Sequence, residues 1–462
     1  MNSHKYNIVI IGAGPTGLGA AHRLQELGED SFHIFERRGY IGGLATSFKD
    51  RQGFLWDIGG HVQFSHYDYF DKLMDLLLPN EWFTHQRESW VWMYDRFIPY
   101  PFQYNIHRLP EAIRDDCLNG LIELAKNPVK GTAKNFRDWV LQTFGQGIAR
   151  YFLEPYNFKV WAHPLEMMST SWVGERVAVV NLERVKKNIQ ENNDDLAWGP
   201  NNVFRFPKKG GTGAIWSRLG ERIGSKNISL EHEVVSIRTD EKRVLFKNGL
   251  EVEYNYLINT SPLDTFVERT DLPSSLKKTA AGLKHSTTYI VGAGLTGKPK
   301  ANLATKCWMY FPESNCPFYR VTLFSNYSPF NVPDPSKHWS LMTEVSASEY
   351  KKVGKDTVVE EVIRGLKNTD LIQPTNSIVS TWLHSERYGY PTPTVDRDTI
   401  LNQVQPELMK KDILSRGRFG MWKYEVSNQD HSLMQGVEAA NFIVNKEPET
   451  TAWHPEIVNS KR

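Results

Sequence analysis

The sequence predicts an α/β protein with more than one domain, on three observations. An apolar run at residues 8–11 enters a glycine-rich turn, and a segment with helical spacing follows it. Residues 67–192 show mostly helical periodicity, whereas residues 285–390 are rich in short β segments. With 462 residues the chain is too long for a single hydrophobic core, so we expect two or three domains.

The glycine turn after the first predicted strand has the spacing GxGxxG, formed by Gly12, Gly14 and Gly17. Gly12 allows a tight turn, Gly14 lets the backbone approach a pyrophosphate, and Gly17 lets helix and strand pack closely. The positive N-terminus of the helix at residues 18–27 would face the phosphates. This spacing is typical of the βαβ unit of a Rossmann-like dinucleotide-binding domain.

A second strand, residues 32–35, delivers Glu36, whose carboxylate would accept hydrogen bonds from ribose hydroxyls. Another glycine pair, Gly42 and Gly43, follows soon afterwards. A second glycine pair soon after the ribose carboxylate indicates that the backbone runs close to a long dinucleotide cofactor. This favours FAD over NAD.

Residues 57–64 contain two further glycines, which we expect to lead into a strand and to let the main chain approach a flat ring. His61 would then stand beside that ring. A lone histidine is more often a satisfied core residue, and this interpretation stays open.

The middle of the chain is predicted to be mainly helical, with one strand at residues 90–100. Tyr100 lies between Pro99 and Pro101, and the amide of Gln103 follows closely. These residues suit a platform that stacks a base and reads its edge, although an ordinary loop fits equally well. Arg176 lies among aromatic residues, as anion recognition requires. The expected helices are residues 69–78, 109–125 and 136–153.

The second half of the chain returns to strands. A β-meander with an Asn-Gly turn at Asn248 precedes a buried strand at residues 256–260, so the nucleotide-binding domain is discontinuous. An antiparallel sheet follows, with one helix at residues 357–366. A last helix, residues 433–444, has Asp430 as its expected N-cap, and its N-terminus could hold the pyrimidine edge of a flavin. The expected sheet strands are residues 234–238, 244–246, 250–254, 287–292, 319–324, 339–345 and 378–383.

Composition excludes several classes of protein. A net charge of +2 gives no basic field for nucleic acid. Three cysteines, Cys117, Cys307 and Cys316, have neither zinc nor CxxC spacing, so no metal site is expected. Three cysteines cannot all pair, and we therefore expect the protein to be in a reducing compartment. No apolar run is long enough to span a membrane and no signal peptide precedes the first strand, which predicts a cytoplasmic protein. A homo-oligomer is left open.

Several strings resemble the eukaryotic-type UDP-galactopyranose mutases, among them GAGPTGLGAA, GGHVQFSH, PYNFKVWA, GERVAVVNL, CWMYFPESNCPFYR, GRFGMWKYE and NQDHS. They occur in order from about residue 8 to residue 444. The resemblance implies an FAD-binding Rossmann-like domain in three parts (residues 1–66, 203–270 and 395–462), a helical substrate domain (67–202) and an antiparallel β-sheet domain (271–394).

The resemblance also implies a non-redox interconversion of UDP-galactopyranose and UDP-galactofuranose. On this resemblance the reduced form of FAD would be the active one, and N5 of the flavin would form an adduct with the sugar. NADPH or NADH would be the reductant, received near Arg87 and Ser89. Arg176, Arg320 and His61 would be catalytic. Substrate would contact Phe64, Tyr100, Gln103, Asn157, Trp161, Arg176, Asn201, Trp308, Tyr310, Arg320, Tyr390 and Tyr424.

The same resemblance assigns a second set of residues to FAD. These are Gly12, Gly14, Pro15, Thr16, Gly17, Glu36, Arg37, Gly42, Gly43, Leu44, Gly60, His61, Val235, Arg418, Gly420, Asn428, Gln429 and Ser432. Alternatives are a mutase for another nucleotide sugar, a flavin-dependent oxidoreductase of the amine-oxidase or protoporphyrinogen-oxidase type, and a non-catalytic flavoprotein that binds nucleotide sugars. An oxidoreductase has no need of two arginines among aromatic residues, and a mere binding protein could lose His61 and Arg418.

Overall fold

A computed structural model describes residues 4–129, 131–196 and 202–460. It confirms the α/β class, with two large sheets and helices packed around them. The strands, in chain order, are β1 (His4–Ile11), β2 (Phe32–Phe35), β3 (Ser47–Lys49), β4 (Leu55–Asp57), β5 (Trp82–Gln86), β6 (Ser89–Met93), β7 (Arg96–Pro99), β8 (Val203–Pro207), β9 (Ile228–Ser229), β10 (Val234–Arg238), β11 (Arg243–Phe246), β12 (Glu251–Asn259), β13 (Lys284–Thr296), β14 (Trp308–Tyr310), β15 (Arg320–Leu323), β16 (His338–Ala347), β17 (Ile378–Thr392) and β18 (Ile413–Ser415).

The helices cover the faces and ends of these sheets. In chain order they are α1 (Pro15–Glu26), α2 (Asp68–Leu77), α3 (Glu111–Lys126), α4 (Phe136–Ile148), α5 (Glu154–Trp161), α6 (Leu182–Glu191), α7 (Gly213–Ile223), α8 (Leu263–Glu268), α9 (Ser274–Ala280), α10 (Phe324–Tyr327), α11 (Val358–Asn368), α12 (Arg397–Met409), α13 (Gln429–Asn445) and α14 (Pro455–Asn459). No helix in the described ranges is long and apolar enough to cross a membrane.

The first sheet has the order β10-β11-β12-β1-β2-β9, and β18 pairs with the end of β12. Strand β1 is parallel to β12 and to β2, and β12 is parallel to β18. Ile8 and Ile10 enter one buried cluster with α1 and α13, whereas Val9 and Ile11 enter another on the opposite face. Because both faces of the strand are covered, its sequence is a continuous apolar run.

The second sheet has the order β17-β13-β16-β15-β14-β6-β7. Its pairs are antiparallel except for β14 and β6, which are parallel. The single strand predicted at residues 90–100 is wrong, since β6 and β7 form a hairpin that joins this sheet. Tyr94 and Asp95 make the turn with positive φ angles of 53° and 55°, without the glycine that usually reveals such a turn.

Other boundaries also differ from the prediction. The strands expected at residues 250–254 and 256–260 are one strand, β12, because it continues without interruption between its neighbours. The helix expected at residues 136–153 has non-helical backbone at Gly145, with φ at 70°, and it ends at Ile148 before a single π-helical turn. A Cβ at Gly145 would lie 2.5 Å from the Gly120 carbonyl oxygen, so close packing against α3 explains the kink.

Two more predictions need correction. The glycines at residues 59 and 60 lead into a loop and not into a strand. Within this loop, Gln63 makes an isolated β-bridge to Arg205. Helix α13 begins at Gln429, four residues before its predicted start, and its N-cap is Asn428 and not Asp430. Asp430 lies inside the first turn, where its carboxylate accepts hydrogen bonds from the backbone and the ring of His66.

Candidate active-site cleft

A cavity of about 730 Å³ lies where the two sheets meet, at the carboxyl ends of β1 and β2. Parallel sheets of this kind bind ligands at that edge. The cavity brings together most residues predicted for the site: Gly12, Gly14, Pro15, Thr16, Glu36, Arg37, Gly43, Leu44, Gly60, His61, Phe64, Tyr100, Arg176, Trp308, Tyr310, Arg320, Tyr390, Arg418, Tyr424, Asn428, Gln429 and Ser432.

The three glycines of the first turn have different structural roles. Gly12 has a φ of +102°, and a Cβ there would lie 2.2 Å from Thr260 Oγ1. A Cβ at Gly17 would lie 1.9 Å from the Gly12 carbonyl oxygen, so Gly17 serves the packing of α1 on β1 and does not line the cavity. A Cβ at Gly14 meets only Gly43, at 3.9 Å. The fold itself therefore leaves room at Gly14, beside the positive end of α1.

Glu36 lies at the carboxyl end of β2 and is fixed by the backbone around it. Its carboxylate accepts hydrogen bonds from Ala13 N and Arg38 N, both at 2.9 Å. The second glycine pair reaches the same turn, because Gly42 N donates to the Ala13 carbonyl at 2.8 Å. Gly42 thus supports the turn from outside the cavity, whereas Gly43 lines it.

His61 lies in the loop after β4, on the wall that the second sheet supplies. Burial lowers the pKa of His61 to about 4, so its ring is neutral at pH 7. Its buried Nδ1 has no hydrogen-bond partner among the described residues. The preceding residue, Gly60, donates its N–H to Glu344 at 2.9 Å.

Arg320 is the first residue of β15 and lies directly opposite Glu344 in the β15–β16 pair. Its Nε and Nη2 each donate to a Glu344 carboxylate oxygen at 2.7 Å. Burial alone would lower the pKa of Arg320, but the Glu344 carboxylate holds it well above the ordinary value. The guanidinium is therefore a fixed positive charge in the wall of the cavity.

Arg176 approaches the cavity from the other side, in the 3₁₀ turn Gly174–Arg176. Its guanidinium lies over the Tyr424 ring, 4.6 Å from the centroid, and its Nη2 donates to the Glu425 carbonyl at 2.9 Å. The buried Nε has no partner among the described residues. Two arginines from distant parts of the chain thus line one cavity.

Arg418 also lines the cavity and is joined to Ser427, just before the start of α13. Its Nη1 donates to Ser427 Oγ at 2.8 Å, its Nη2 donates to the Gly389 carbonyl at 2.9 Å, and the group lies 4.9 Å from the Tyr390 centroid. Burial lowers the pKa of Arg418, and the nearby Arg176 acts in the same direction. Arginines outnumber carboxylates in the lining, so the cavity suits a polyanion.

Three predicted substrate residues do not line the cavity. Gln103 is buried, and its amide donates to the Ala178 carbonyl. Asn157 donates to Leu153 O at 2.8 Å, within its own helical segment. Trp161 packs behind Tyr424, with 4.8 Å between the ring centroids. A fourth, Asn201, lies outside the described residues.

Besides Gly17 and Gly42, two further residues predicted to bind the cofactor do not line the cavity. Val235 sits at a β-bulge in β10 and is 40% exposed, while its neighbour Val234 lines the cavity. Gly420 supports the loop before α13, since its carbonyl accepts from Ser415 Oγ at 2.9 Å and a Cβ would lie 2.2 Å from Arg416 O. Sequence reasoning missed Glu344. A lone acidic residue within the apolar strand β16 could have indicated it.

The residues present fit a bound flavin dinucleotide. The open space at Gly14 and the carboxylate of Glu36 suit a pyrophosphate and a ribose. Buried polar atoms at the cavity wall lack partners among the described residues, namely His61 Nδ1, Arg176 Nε, Thr288 Oγ1 and Thr322 Oγ1. Such atoms need a ligand or water to satisfy them.

The sequence and the fold are similar to those of known flavoproteins. Residues 15–441 match the profile of the flavin containing amine oxidoreductase family. The chain resembles a crystal structure of reduced UDP-galactopyranose mutase with a TM-score of 0.96 and 49% identity, covering 99% of this chain and 98% of that one. A protein assigned as a protoporphyrinogen oxidase from Exiguobacterium sp. 255-15 shares the fold, with a TM-score of 0.72 and 15% identity over 97% of this chain and 100% of that one.

Local sequence similarity extends to carotenoid enzymes. A 15-cis-phytoene desaturase of Glycine max is 29% identical over 121 residues, which are 26% of this chain and 20% of the desaturase. A zeta-carotene desaturase of Zea mays is 40% identical over 70 residues, 15% of this chain and 12% of that enzyme. These matches span a fifth or less of the curated relatives. On its full-length matches, the chain belongs to the flavin containing amine oxidoreductase family and, within it, to the UDP-galactopyranose mutases.

Proposed function

We propose that the protein holds FAD and interconverts UDP-galactopyranose and UDP-galactofuranose without net oxidation or reduction. The observation that carries this proposal is the meeting of Arg176 and Arg320 in the cavity that begins at the dinucleotide turn. A ring contraction of a nucleotide sugar must release and recapture a diphosphate, and two arginines can hold that charge. Flavin oxidation of an amine needs no such pair.

FAD would lie along the first sheet. Gly14 and Gly43 leave room for its pyrophosphate, Glu36 accepts from the ribose, and the N-terminus of α13 with Arg418 meets the pyrimidine edge of the ring. The chemistry that a bound reduced flavin supplies is nucleophilic attack by N5 on the anomeric carbon. The neutral ring of His61 would stand on the second-sheet side of this space.

The nucleotide sugar would lie between the arginines. As the diphosphate leaves the anomeric carbon, negative charge grows on its oxygen, and the guanidinium groups stabilise that charge. Tyr310 accepts a hydrogen bond from Trp308 Nε1 at 2.6 Å, which orients its hydroxyl in the cavity. The Tyr100 ring lies 5.2 Å from that of Tyr310 and offers a face for the uracil.

A reductant is needed only to start the cycle. We propose that NADPH or NADH reduces the flavin in the cytoplasm, and Arg87, which lines the same cavity, suits a phosphate of such a dinucleotide. Ser89 is buried in β6 and is less suited to that contact. A homo-oligomer stays compatible with this activity.

The test is a count of product per flavin under anaerobic conditions. The purified FAD-loaded protein is reduced once and mixed with a large excess of UDP-galactopyranose, and furanose is measured by chromatography. Many furanose molecules per flavin are expected, because the flavin returns to its reduced state after each turnover. Oxidised protein is the matched control and is expected to be inactive.

The same count separates the competing activities. One product or fewer per electron pair, or equal activity with oxidised flavin, would overturn the mutase proposal in favour of an oxidoreductase. The same assay with a panel of UDP-sugars identifies the preferred sugar. Turnover of a different UDP-pyranose would support the proposed ring contraction but would change the proposed substrate.

A further inference from the structure

A buried ion pair behind the cavity has no part in the assignments above. Arg397, the first residue of α12, is 1% exposed, and its Nη1 and Nη2 donate to the two carboxylate oxygens of Glu425 at 2.8 Å each. The same Nη2 also donates to Ser171 Oγ at 3.0 Å. Neither Arg397 nor Glu425 is among the described residues that line the cavity. The pair can therefore act on a ligand only through its neighbours.

Glu425 links this ion pair to the side chain of Arg176. It is the central residue of the turn Tyr424–Val426, and its carbonyl accepts a hydrogen bond from Arg176 Nη2 at 2.9 Å. The preceding residue, Tyr424, supplies the ring over which the Arg176 guanidinium lies, 4.6 Å from the centroid. A rotation of this turn would move the carbonyl and the ring together. Anchoring the Glu425 side chain therefore fixes the surface against which Arg176 rests.

Ser171 links the same ion pair to the backbone of Arg176. It lies five residues before Arg176, in a segment held by successive turns. Val173 N donates to the Thr170 carbonyl at 3.2 Å, and Arg176 N donates to the Val173 carbonyl at 2.8 Å. Arg397 thus bonds both to the chain that leads into Arg176 and to the turn that receives its side chain.

The contacts of Arg397 are better suited to fixing an orientation than to adding stability. A buried ion pair contributes little net stability, because the loss of hydration offsets the attraction between the charges. Two parallel N–H···O bonds from a planar guanidinium are strongly directional, and a lysine cannot reproduce them. Burial alone would lower the pKa of Arg397, but Glu425 and Asp398 raise it above its ordinary value, so the guanidinium stays charged.

We propose that Arg397 is a positioning residue for the anion site and holds Arg176 in the orientation that binds a diphosphate. An arginine that is fixed before the ligand arrives loses less conformational freedom on binding, so its contact with the anion is stronger. This inference rests on the proposed function, because it takes a nucleoside diphosphate as the ligand of Arg176.

The test is a double-mutant cycle on UDP affinity, measured by calorimetric titration of the FAD-loaded protein. Arg397→Lys keeps the positive charge for Glu425 but cannot form the bidentate contact and the bond to Ser171 together. We expect this change to weaken UDP binding about tenfold when Arg176 is present, a coupling of the size usual for residues that share a partner. In the Arg176→Ala background the same change should weaken UDP binding less than about twofold.

Two further variants keep the test decisive. Arg416→Lys alters another fully buried arginine, whose Nε and Nη2 donate to Glu449 at 2.6 Å each. Any loss of UDP affinity that it causes should be the same factor with and without Arg176. Ser171→Ala removes only the third bond to Arg397, so it should fold and weaken UDP binding about threefold. That loss should disappear in the Arg176→Ala background.

The outcomes separate this inference from the proposed function. Equal losses for Arg397→Lys in the two backgrounds, or no loss in folded Arg397→Lys, would overturn the positioning role and leave the mutase proposal intact. The same holds if Arg416→Lys depends on Arg176 to an equal degree. If Arg397→Lys does not retain FAD, Ser171→Ala decides in the same way. A loss that requires Arg176, with additive behaviour of Arg416→Lys, supports the inference, whereas absence of UDP binding by the wild type would overturn both proposals.

Discussion

Two guanidinium groups with different surroundings dominate the cavity. Arg320 is held by a carboxylate through two short hydrogen bonds, whereas Arg176 rests on an aromatic face and a backbone carbonyl. An anionic ligand at Arg176 competes only with neutral groups, the Tyr424 ring and the Glu425 carbonyl. At Arg320 it competes with the negative charge of Glu344. The two arginines should therefore respond differently to substitution.

We expect Arg176→Ala to weaken UDP binding by about a hundredfold, since a charge-assisted contact is lost without leaving a buried charge behind. Arg320→Ala should weaken binding similarly and also lower the melting temperature, because Glu344 is left buried without its partner. Calorimetric titration of UDP and a thermal melt of each FAD-loaded variant check both. Unchanged UDP affinity in either variant would contradict its role at the diphosphate.

Asp57 gives a pH dependence that is separate from the cleft. Burial raises the pKa of this carboxyl to about 6, although Ser47 Oγ and Thr212 N donate to it. The folded state therefore binds a proton more tightly than the unfolded state, whose pKa is about 3.9. The resulting stability is fully present below about pH 4 and is lost as the pH rises through 6.

We expect Asp57→Asn to be more stable than the wild type by about 2 to 3 kcal/mol at pH 7 and to show no gain at pH 4. The amide stays neutral, and it can donate to Thr212 Oγ1, which has no partner among the described residues. Urea unfolding at several pH values measures the difference. If the free energies of unfolding of the two proteins changed with pH in the same way, the pKa of Asp57 would not be raised in the folded state.

At the scale of single elements, the βαβ turn separates glycines needed for folding from a glycine needed for binding. Gly14→Val is expected to fold, because a Cβ at this position would lie 3.9 Å from Gly43, an ordinary contact distance. It is expected to purify without flavin colour, because the added side chain blocks the approach of the pyrophosphate. Gly17→Ala should fold poorly, since its Cβ would lie 1.9 Å from a carbonyl oxygen. Absorbance at the flavin band and far-ultraviolet circular dichroism distinguish the two defects. Gly14→Val with full flavin content would contradict the assignment of the turn.

The elements also show what a sequence can predict. The turn at Gly12 and the apolar strand β1 depend on local chemistry, and both were predicted. The β6–β7 hairpin was missed because its turn has neither glycine nor proline and its place is set by pairing with β14. The orientation of the Gln103 amide could not be predicted, because its partner, the Ala178 carbonyl, lies 75 residues away in the sequence.

At the scale of the whole molecule, the last part of the chain returns to support the cleft. Arg416, two residues before Arg418, is fully buried and bonds both oxygens of Glu449 at 2.6 Å. Further along, Asn459 Nδ2 donates at 3.1 Å to the Glu425 carbonyl, which also accepts from Arg176. The C-terminal segment thus supports the loop that carries Arg418 and the backbone carbonyl to which Arg176 donates.

We expect Glu449→Gln to lower the free energy of unfolding by about 3 to 5 kcal/mol, because it leaves a buried guanidinium without its counter-charge. The control is Glu447→Gln, two residues away and exposed, which should stay within about 0.5 kcal/mol. Denaturant unfolding measures both, and equal stability of the two variants would show that the Arg416–Glu449 pair contributes little.

The strand order of the first sheet has a consequence for the newly made chain. Strand β1 leaves the ribosome early, but its parallel partner β12 begins at Glu251, and β18 follows only at Ile413. At about 5 to 20 residues per second, the wait between β1 and β12 lasts roughly 10 to 50 s. Throughout that time one flank of an apolar strand has no native neighbour, and such edges attract other chains. Synthesis of this protein should therefore depend on chaperones that shield its N-terminal unit until translation has passed the middle of the message.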